Sequence, residues 1–284
     1  MTSFHLLFTL LLVPLLSSTS RVILVIGADD YNGFVYAGCS QPRYDAGSAY
    51  EYSVDSVLTS LTNAADFTSY ANFSSPSPPL VSGLLQCRSD LPLSACDSCV
   101  RSALSQLSTL CPFAAGAAVQ LRACFIRYGN DSFLGKPDNT LLYKKCSADQ
   151  GSGGGGGPDG SVSFIGMRDA AVGSLVGGAY RVGGAGYVQA MSQCVGDLSA
   201  KACSDCVSTA AGQLKAACSS SASGEVYLGK CYARYWSYNG GYSPSHVGHG
   251  DQAGKTLAII IGLMAGVALI IVFLSFIRRA GNGK

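Results

Sequence analysis

The stretch CRSDLPLSACDSC at Cys87–Cys99 decides the fold, because a second version of it, CVGDLSAKACSDC, follows at Cys194–Cys206. The two stretches lie 107 positions apart, and every cysteine of the 284-residue chain obeys that spacing, as Gln86 and Gln193 also do. Six cysteine matches at one spacing indicate two copies of one module. The first set is Cys39, Cys87, Cys96, Cys99, Cys111 and Cys124, and the second is Cys146, Cys194, Cys203, Cys206, Cys218 and Cys231.

Within each module the hydrophobic pattern predicts helices and strands. Residues 199–218 carry apolar side chains at helical spacing, with Ser199 as the predicted N-cap. An earlier helix is predicted over 48–61, with a weaker counterpart over 164–176. The fold class is therefore α+β, with about two helices packed on an antiparallel sheet in each module. Strands are predicted at 36–40 and 142–147, and β-hairpins or paired strands at 118–128 and 225–235.

Loop signals divide the chain further. The glycine run at 151–157 has the composition of a linker, but the 107-residue register places it inside module 2. Breaker-rich segments at 74–79 and 182–186 are predicted as equivalent loops. The predicted parts are a signal peptide (1–28), module 1 (29–135), a linker (136–141), module 2 (142–243), a stalk (244–255), a transmembrane helix (256–277) and a cytoplasmic tail (278–284).

The two ends of the chain predict secretion and a membrane anchor. The mostly apolar stretch of eleven residues at 6–16, followed by small ones, is typical of a signal peptide cleaved after Ser20 or Ala28. A retained N-terminal anchor is the alternative, although a span needs about 20 apolar residues. Residues 256–277 carry no charge and are long enough to cross a bilayer.

The flanks of this segment set its orientation. Arg278 and Arg279 follow it directly, so the basic excess predicts a cytoplasmic C-terminus. Inside it, Gly262 and Gly266 form a GxxxG pattern that permits close helix packing. The predicted topology is therefore a single-pass type I protein of the plasma membrane with an extracellular ectodomain.

Composition excludes several kinds of chemistry. The net charge of the chain is +2, so no basic field indicates nucleic-acid binding. His5 lies in the leader, and His246 and His249 lie in the stalk, so the modules hold no histidine for a triad, a general base or a metal. The CxxC pairs favour structural disulfides over zinc or redox sites, since zinc would leave eight cysteines unexplained. We therefore expect no enzyme, metal or cofactor.

The C-x8-C-x2-C pattern, with the later CPFAAGAAVQLRACFIRY at 111–128, resembles the ginkbilobin-homologous domain of plants. Two such modules with a signal peptide, one membrane helix and a short tail look like a plasmodesmata-located protein. Six cysteines allow 15 pairings, which spacing alone leaves open. The resemblance implies a five-stranded sheet and, in each module, first-to-fifth, second-to-third and fourth-to-sixth cysteine pairs.

The resemblance also bears on ligands. Ginkbilobin lectins bind mannose through Asn, Arg and Glu at positions that correspond here to Ser40, Ala118 and Gly129, and to Ser147, Glu225 and Trp236. No position matches, so that mode of mannose binding is not expected. Another carbohydrate site stays open, because Trp236 is accompanied by Tyr235, Tyr238 and Tyr242; core or module–module packing of this aromatic cluster is the alternative.

The function implied by the resemblance is regulation of cell-to-cell movement at plasmodesmata, through local callose deposition. A wall-facing receptor or co-receptor without a kinase, and a membrane-tethered antifungal lectin, are the alternatives. The implied partners are the membrane, a cell-wall carbohydrate or receptor ectodomain, and further copies of the chain or of a relative. Asn72 and Asn130 lie in sequons and are predicted glycosylation sites.

Overall fold

A computed structural model describes residues 31–151 and 164–237. Both modules have the same architecture, a five-stranded antiparallel sheet with two helices against one face. The strand order of module 1 is β1-β4-β5-β3-β2. Its elements are β1 (Phe34–Cys39), α1 (Ala49–Ala64), β2 (Tyr70–Ser74), β3 (Ser82–Cys87), α2 (Leu93–Leu110), β4 (Ala117–Leu121) and β5 (Cys124–Gly129).

Module 2 repeats this topology, with the strand order β6-β9-β10-β8-β7. The predicted α+β fold of two helices and one antiparallel sheet per module is thus confirmed for both copies. The elements of module 2 are β6 (Leu141–Cys146), α3 (Phe164–Gly173), β7 (Tyr180–Ala185), β8 (Val188–Cys194), α4 (Ala200–Ala217), β9 (Ser223–Leu228) and β10 (Cys231–Ser237).

The longer helix of each module follows from its periodic apolar face. In α4 the residues at helical spacing are buried, and the Ser199 hydroxyl accepts a hydrogen bond from Ala202 N at 3.3 Å as the predicted N-cap. Pro92 takes the same position before α2, where no side chain caps the helix. The buried faces are Cys96, Cys99, Val100, Ala103 and Leu107 in α2, and Cys203, Cys206, Val207, Ala210 and Leu214 in α4.

Three disulfides fasten this helix to the sheet in each module. In module 1, Cys96 of α2 joins Cys87 of β3, Cys99 joins Cys124 of β5, and Cys111, at the helix end, joins Cys39 of β1. In module 2 the pairs are Cys194–Cys203, Cys206–Cys231 and Cys146–Cys218. These are the pairs that the resemblance implies. No cysteine of the chain is free.

One loop prediction is wrong. Residues 74–79 and 182–186 are predicted as equivalent loops, but Val182–Ala185 belong to the edge strand β7, which a tight turn at Gly186 joins to β8. The glycines serve close packing rather than a loop. A Cβ atom on Gly183 would lie 1.9 Å from the Ser174 hydroxyl, so only glycine lets this strand approach the end of α3.

The membrane segment predicted at 256–277 lies outside the described residues. Across 31–151 and 164–237, no helix combines the length and the apolar character that a membrane crossing requires.

Candidate functional site

The sheet faces that point away from the helices meet between the two modules, and this contact is here called the intermodule face. Strand alternation places one set of side chains in the helix-covered core and the other set on this face. Where the sheets meet, Leu84 and Phe125 of module 1, Phe133 of the connecting segment and Val195 of module 2 form a buried cluster. The two modules therefore share a core of their own.

Two glutamines connect the modules in both directions. The side-chain amide of Gln193 donates to Cys87 O at 2.9 Å and to the Ser89 hydroxyl at 3.1 Å, and its oxygen accepts from Ser89 N at 3.3 Å. In return, the side-chain oxygen of Gln86 accepts from Gly196 N at 2.8 Å. Each glutamine thus hydrogen-bonds backbone groups of the opposite module.

A row of tyrosines lies beside these glutamines. Tyr227, a fully buried residue of β9, packs edge-on against Tyr36 of module 1 at 6.2 Å between ring centroids and stacks on Tyr232 at 5.1 Å. Burial raises the pKa of Tyr36, Tyr227 and Tyr232 above the ordinary tyrosine value, because the phenolate would lose its hydration. These tyrosines remain neutral over the physiological pH range.

Ion pairs also lie at the intermodule face. Arg122 of module 1 forms a salt bridge with Glu225 of module 2, whose side chain is only 9% exposed. Lys230 pairs with Asp197, and Asp197 also accepts from Gly135 N at 2.8 Å. Burial lowers the pKa of Lys230, while its hydrogen bond to Asp197 acts in the opposite direction. Buried charges are tolerated here because each has an opposite partner.

The segment between the modules is held over this face. The ring of Phe133 lies 4.2 Å from the Arg127 guanidinium carbon and 5.4 Å from Lys230 Nζ, measured to its centroid. Arg127 also lies 3.8 Å from the Asp138 carboxylate. The connection is thus packed against both modules rather than free to swing.

The space left between the modules is too small for a sugar. The cavity beside Gln86, Gln193 and Tyr232 has a volume of about 30 Å³, whereas ligand pockets commonly have about 300–1,000 Å³. A cavity of that size has room for only two or three waters, since each needs roughly 10–15 Å³. The intermodule face is therefore a structural contact and not a ligand cleft.

Two of the positions that correspond to the lectin's mannose-binding residues make contacts within the protein. In module 2, Glu225 stands where the lectin has Arg, and its carboxylate is engaged by Arg122 of the other module. Ser147 caps a backbone group by accepting from Ser223 N at 3.0 Å. Glu225 therefore makes a contact between the modules, and Ser147 makes one within module 2.

The predicted aromatic cluster divides between two faces of its strand. Tyr235 points into the core of module 2, where its hydroxyl donates to Cys218 O and Ser221 O at 2.9 and 2.7 Å. Trp236, the next residue, points to the opposite face, and the guanidinium carbon of Arg234 lies 5.2 Å from its ring centroid. Alternation along β10 separates the two rings, while Tyr238 and Tyr242 lie outside the described residues.

The remaining predicted sites are placed as follows. Asn72, on the edge strand β2, and Asn130, just after β5, are both exposed. Gly262 and Gly266 lie outside the described residues.

No group of histidine, cysteine, aspartate and glutamate side chains suited to a metal ion occurs in the part of the chain that the structure describes. The sequence reasoning missed the Arg122–Glu225 pair, for which no local pattern exists.

Comparison with known proteins adds to this geometry. Residues 38–131 and 173–238 match a family described as salt stress response/antifungal. The chain is 48% identical to plasmodesmata-located protein 7 of Arabidopsis thaliana, over 86% of this chain and 82% of that protein. It is 44% identical to plasmodesmata-located protein 6 of the same plant, over 87% of this chain and 88% of that protein.

Solved structures agree with the tandem arrangement. The chain resembles the crystallised tandem DUF26 ectodomain of the Arabidopsis thaliana cysteine-rich receptor-like protein PDLP8, with a TM-score of 0.68 and 37% identity, over 73% of this chain and 100% of that one. The corresponding ectodomain of PDLP5 gives a TM-score of 0.65 and 39% identity, over 72% and 100%.

Proposed function

The chain belongs to the plasmodesmata-located protein family, and from this premise we propose that it is a non-enzymatic type I membrane protein that regulates cell-to-cell movement at plasmodesmata. Its working part is the extracellular pair of modules. Callose deposition at the channel neck is the output that we assign to it.

The observation that carries this proposal is similarity along nearly the whole chain. An identity of 48% over 86% of the chain extends across most of both modules and the segment between them. The packed intermodule face adds support, because it makes the modules one rigid unit that presents a single composite surface. A rigid pair suits a protein that recognises something outside the cell through both modules at once.

The proposed topology is supported by side-chain chemistry. All twelve cysteines are paired, as is usual in an oxidising compartment, and both sequons lie on exposed backbone. We assign glycans to Asn72 and Asn130 on this basis. The uncharged segment 256–277 supplies the single membrane span, with Arg278 and Arg279 on the cytoplasmic side.

A fluorescent fusion to the C-terminus of the full chain tests the localisation. We expect puncta where neighbouring cells share a wall. A matched variant that lacks residues 256–277 is expected to lose the puncta and to enter the secreted fraction. Uniform plasma-membrane fluorescence of the full chain, without puncta, would overturn the proposal.

The proposed effect on transport needs its own measurement. Raising the amount of the full chain is expected to change both callose staining at wall junctions and the spread of a mobile fluorescent protein between cells. A change in neither, with puncta present, would retain the localisation and reject the regulatory role.

A kinase-less receptor or co-receptor is the second candidate, favoured by the description of both structural neighbours as receptor-like proteins. In this role the ectodomain would act together with a partner protein. Cross-linking of the full chain in membranes is expected to recover a receptor ectodomain, or a second copy of the chain or of a relative. Recovery of the chain as an isolated monomer would reject this candidate.

A further inference from the structure

We propose that an open cleft on module 1, between loops 42–47 and 111–116, binds neutral β-linked glucan chains. Its volume is about 460 Å³, and it is open to solvent rather than enclosed. The inference rests on the proposed function only for the location of the module outside the cell. The lining residues are Arg43, Tyr44, Asp45, Ala46, Pro112 and Phe113.

The two loops are tied together, so the cleft is preformed. Tyr44 N donates to Phe113 O at 2.9 Å, and Ala115 N donates to Pro42 O at 2.9 Å. The Arg43 guanidinium donates to Pro112 O, and the Cys39–Cys111 disulfide joins the bases of the loops. A site held in its binding geometry avoids the entropy cost of ordering loops around a ligand.

An aromatic wall presents one ring to solvent. Tyr44 stacks on Tyr50 at 5.4 Å and meets Phe113 edge-on at 5.8 Å, while the Tyr50 hydroxyl donates to Ala115 O at 2.6 Å. Phe113 is 46% exposed although it is a large apolar residue.

The backbone of Phe113 is unusual as well. Its φ is 58°, in the left-handed region, and it is the one non-glycine residue with a positive φ among those that the structure describes. A bulky side chain rarely takes that conformation, and such residues concentrate at binding sites, where the surrounding structure maintains them. The conformation projects the ring outward between the loops.

The polar rim determines the chemistry of the ligand. Asp45 and Arg43 line the cleft, and neither forms an ion pair with another part of the described chain. A carboxylate accepts hydrogen bonds from hydroxyl groups, and a guanidinium donates to hydroxyl and ring oxygens. Since their charges are opposite, the rim favours a neutral polyhydroxyl ligand over a polyanion.

A β-linked glucose unit fits both features. All its hydroxyl groups are equatorial, so each face of the ring exposes C–H bonds that pack on an aromatic ring, while the hydroxyl groups radiate toward the rim. Phe113 would pack against such a face, with Asp45 and Arg43 at the edge of the sugar. Ser40, one of the positions that correspond to the lectin's mannose residues, lies at the base of these loops, where its hydroxyl donates to Pro42 O at 3.0 Å and accepts from Gly116 N at 2.9 Å.

Module 2 has different residues at the positions that correspond to this site. The residues 107 positions on from Arg43, Tyr44, Pro112 and Phe113 are Gln150, Gly151, Ser219 and Ser220, none of them aromatic or charged. A Cβ atom on Gly151 would lie 2.2 Å from the ring of Phe164, so that ring occupies the space a side chain would need. The aromatic and charged residues that line the cleft are therefore a feature of module 1.

Titration of the full chain in detergent micelles tests the inference, with laminarihexaose and cellohexaose as probes and mannohexaose and trigalacturonate as comparisons. Phe113→Asn removes the ring with a residue that accepts the left-handed conformation. We expect saturable binding of at least one glucan hexamer, and at least about tenfold weaker binding after Phe113→Asn or Asp45→Asn. Tyr52→Ala is the matched control, because Tyr52 is exposed but lies outside the cleft.

Each outcome decides between the alternatives. Glucan binding that Phe113→Asn weakens and Tyr52→Ala leaves unchanged, with similar unfolding temperatures, supports the site. No saturable glucan binding, equal binding after Phe113→Asn, or preference for mannohexaose or trigalacturonate overturns it. Localisation separates this inference from the proposed function: a Phe113→Asn fusion is expected to keep its puncta, whereas absent puncta in the parent chain reject only the function.

Discussion

Gln86 and Gln193 occupy equivalent positions in the two modules, and each reaches across the intermodule face to the loop that follows the other one's strand. Gln193 bonds to Ser89, and Gln86 accepts from Gly196 N, and Ser89 and Gly196 are themselves 107 positions apart. A pair of reciprocal contacts between equivalent residues is the signature of a local two-fold relation. The tandem repeat therefore packs as a symmetric dimer would, within one chain.

Removing either glutamine should weaken this contact. Gln193→Ala removes the side-chain partner of Ser89 N and one of the two side-chain amides that donate to Cys87 O, and we expect a loss of about 1–2 kcal/mol in the free energy of unfolding. Urea unfolding followed by the fluorescence of Trp236, the single tryptophan, measures it. The exposed Gln41→Ala is the control, with an expected change within about 0.5 kcal/mol. Equal stability of both variants would contradict the structural role of Gln193.

The Arg122–Glu225 pair should matter more than a surface ion pair. Arg122→Ala leaves a carboxylate that is 9% exposed without its partner, so we expect a loss of about 2–3 kcal/mol. Arg101→Ala breaks a pair with Asp97 on the solvent side of α2 and should change the stability far less. Adding Glu225→Gln to Arg122→Ala should restore part of the loss, because the unpaired charge is then gone. If the double variant is no more stable than Arg122→Ala, the unpaired charge of Glu225 is not the cause of the loss.

A methyl group at Gly196 should separate the modules. A Cβ atom there would lie 2.8 Å from the ring of Tyr70, which belongs to module 1. Gly196→Ala is expected to destabilise the chain by about 1–3 kcal/mol through overpacking. Gly212→Ala, on α4 with open space around it, should instead stabilise by about 0.5–1 kcal/mol. Thermal unfolding of both variants checks the opposite signs, and a shift in the same direction would contradict the packing argument.

The buried tyrosines predict a loss of stability in alkali. Burial raises the pKa of Tyr36, Tyr227 and Tyr232 above the ordinary value of 10.0. The unfolded chain therefore loses these protons at a lower pH than the folded one, so stability that is complete below pH 10 falls as the pH rises above it. Unfolding free energies at about pH 9 and pH 11, with tyrosinate absorbance as the monitor, measure the slope.

A matched pair of variants isolates this effect. Tyr232→Phe should reduce the slope because one titrating group is removed, whereas Tyr52→Phe, at an exposed position, should leave it unchanged. An alkaline slope that stays the same in Tyr232→Phe would show that this tyrosine ionises alike in both states.

Much of the fold was predictable because its causes are local. The helical spacing from Cys203 to Leu214 requires one buried face, and the cap at Ser199 requires only the next helical turn. The loop predicted at 182–186 failed for a tertiary reason, since the close approach of Ser174 explains Gly183, and no neighbour in the sequence signals that contact.

The site was less predictable. The 107-residue spacing identified Gln86 and Gln193 as equivalent positions. It did not show that each side chain contacts the opposite module. Tyr235 and Trp236 are adjacent in the sequence, yet strand alternation directs one ring into the core and the other to the opposite face. Proximity along the chain is therefore a poor guide to which aromatic residues form one surface.

By itself the sequence determined the duplication, the α+β composition of each module and the absence of histidine chemistry between the leader and the stalk, because spacing and residue type are properties of the chain. Only the tertiary structure decided that the two sheets meet face to face, that Arg122 finds Glu225, and that Arg43 and Phe113 line one cleft. Those residues are about 70 to 100 positions apart, and their contacts depend on how complete sheets and loops pack, which no local periodicity encodes.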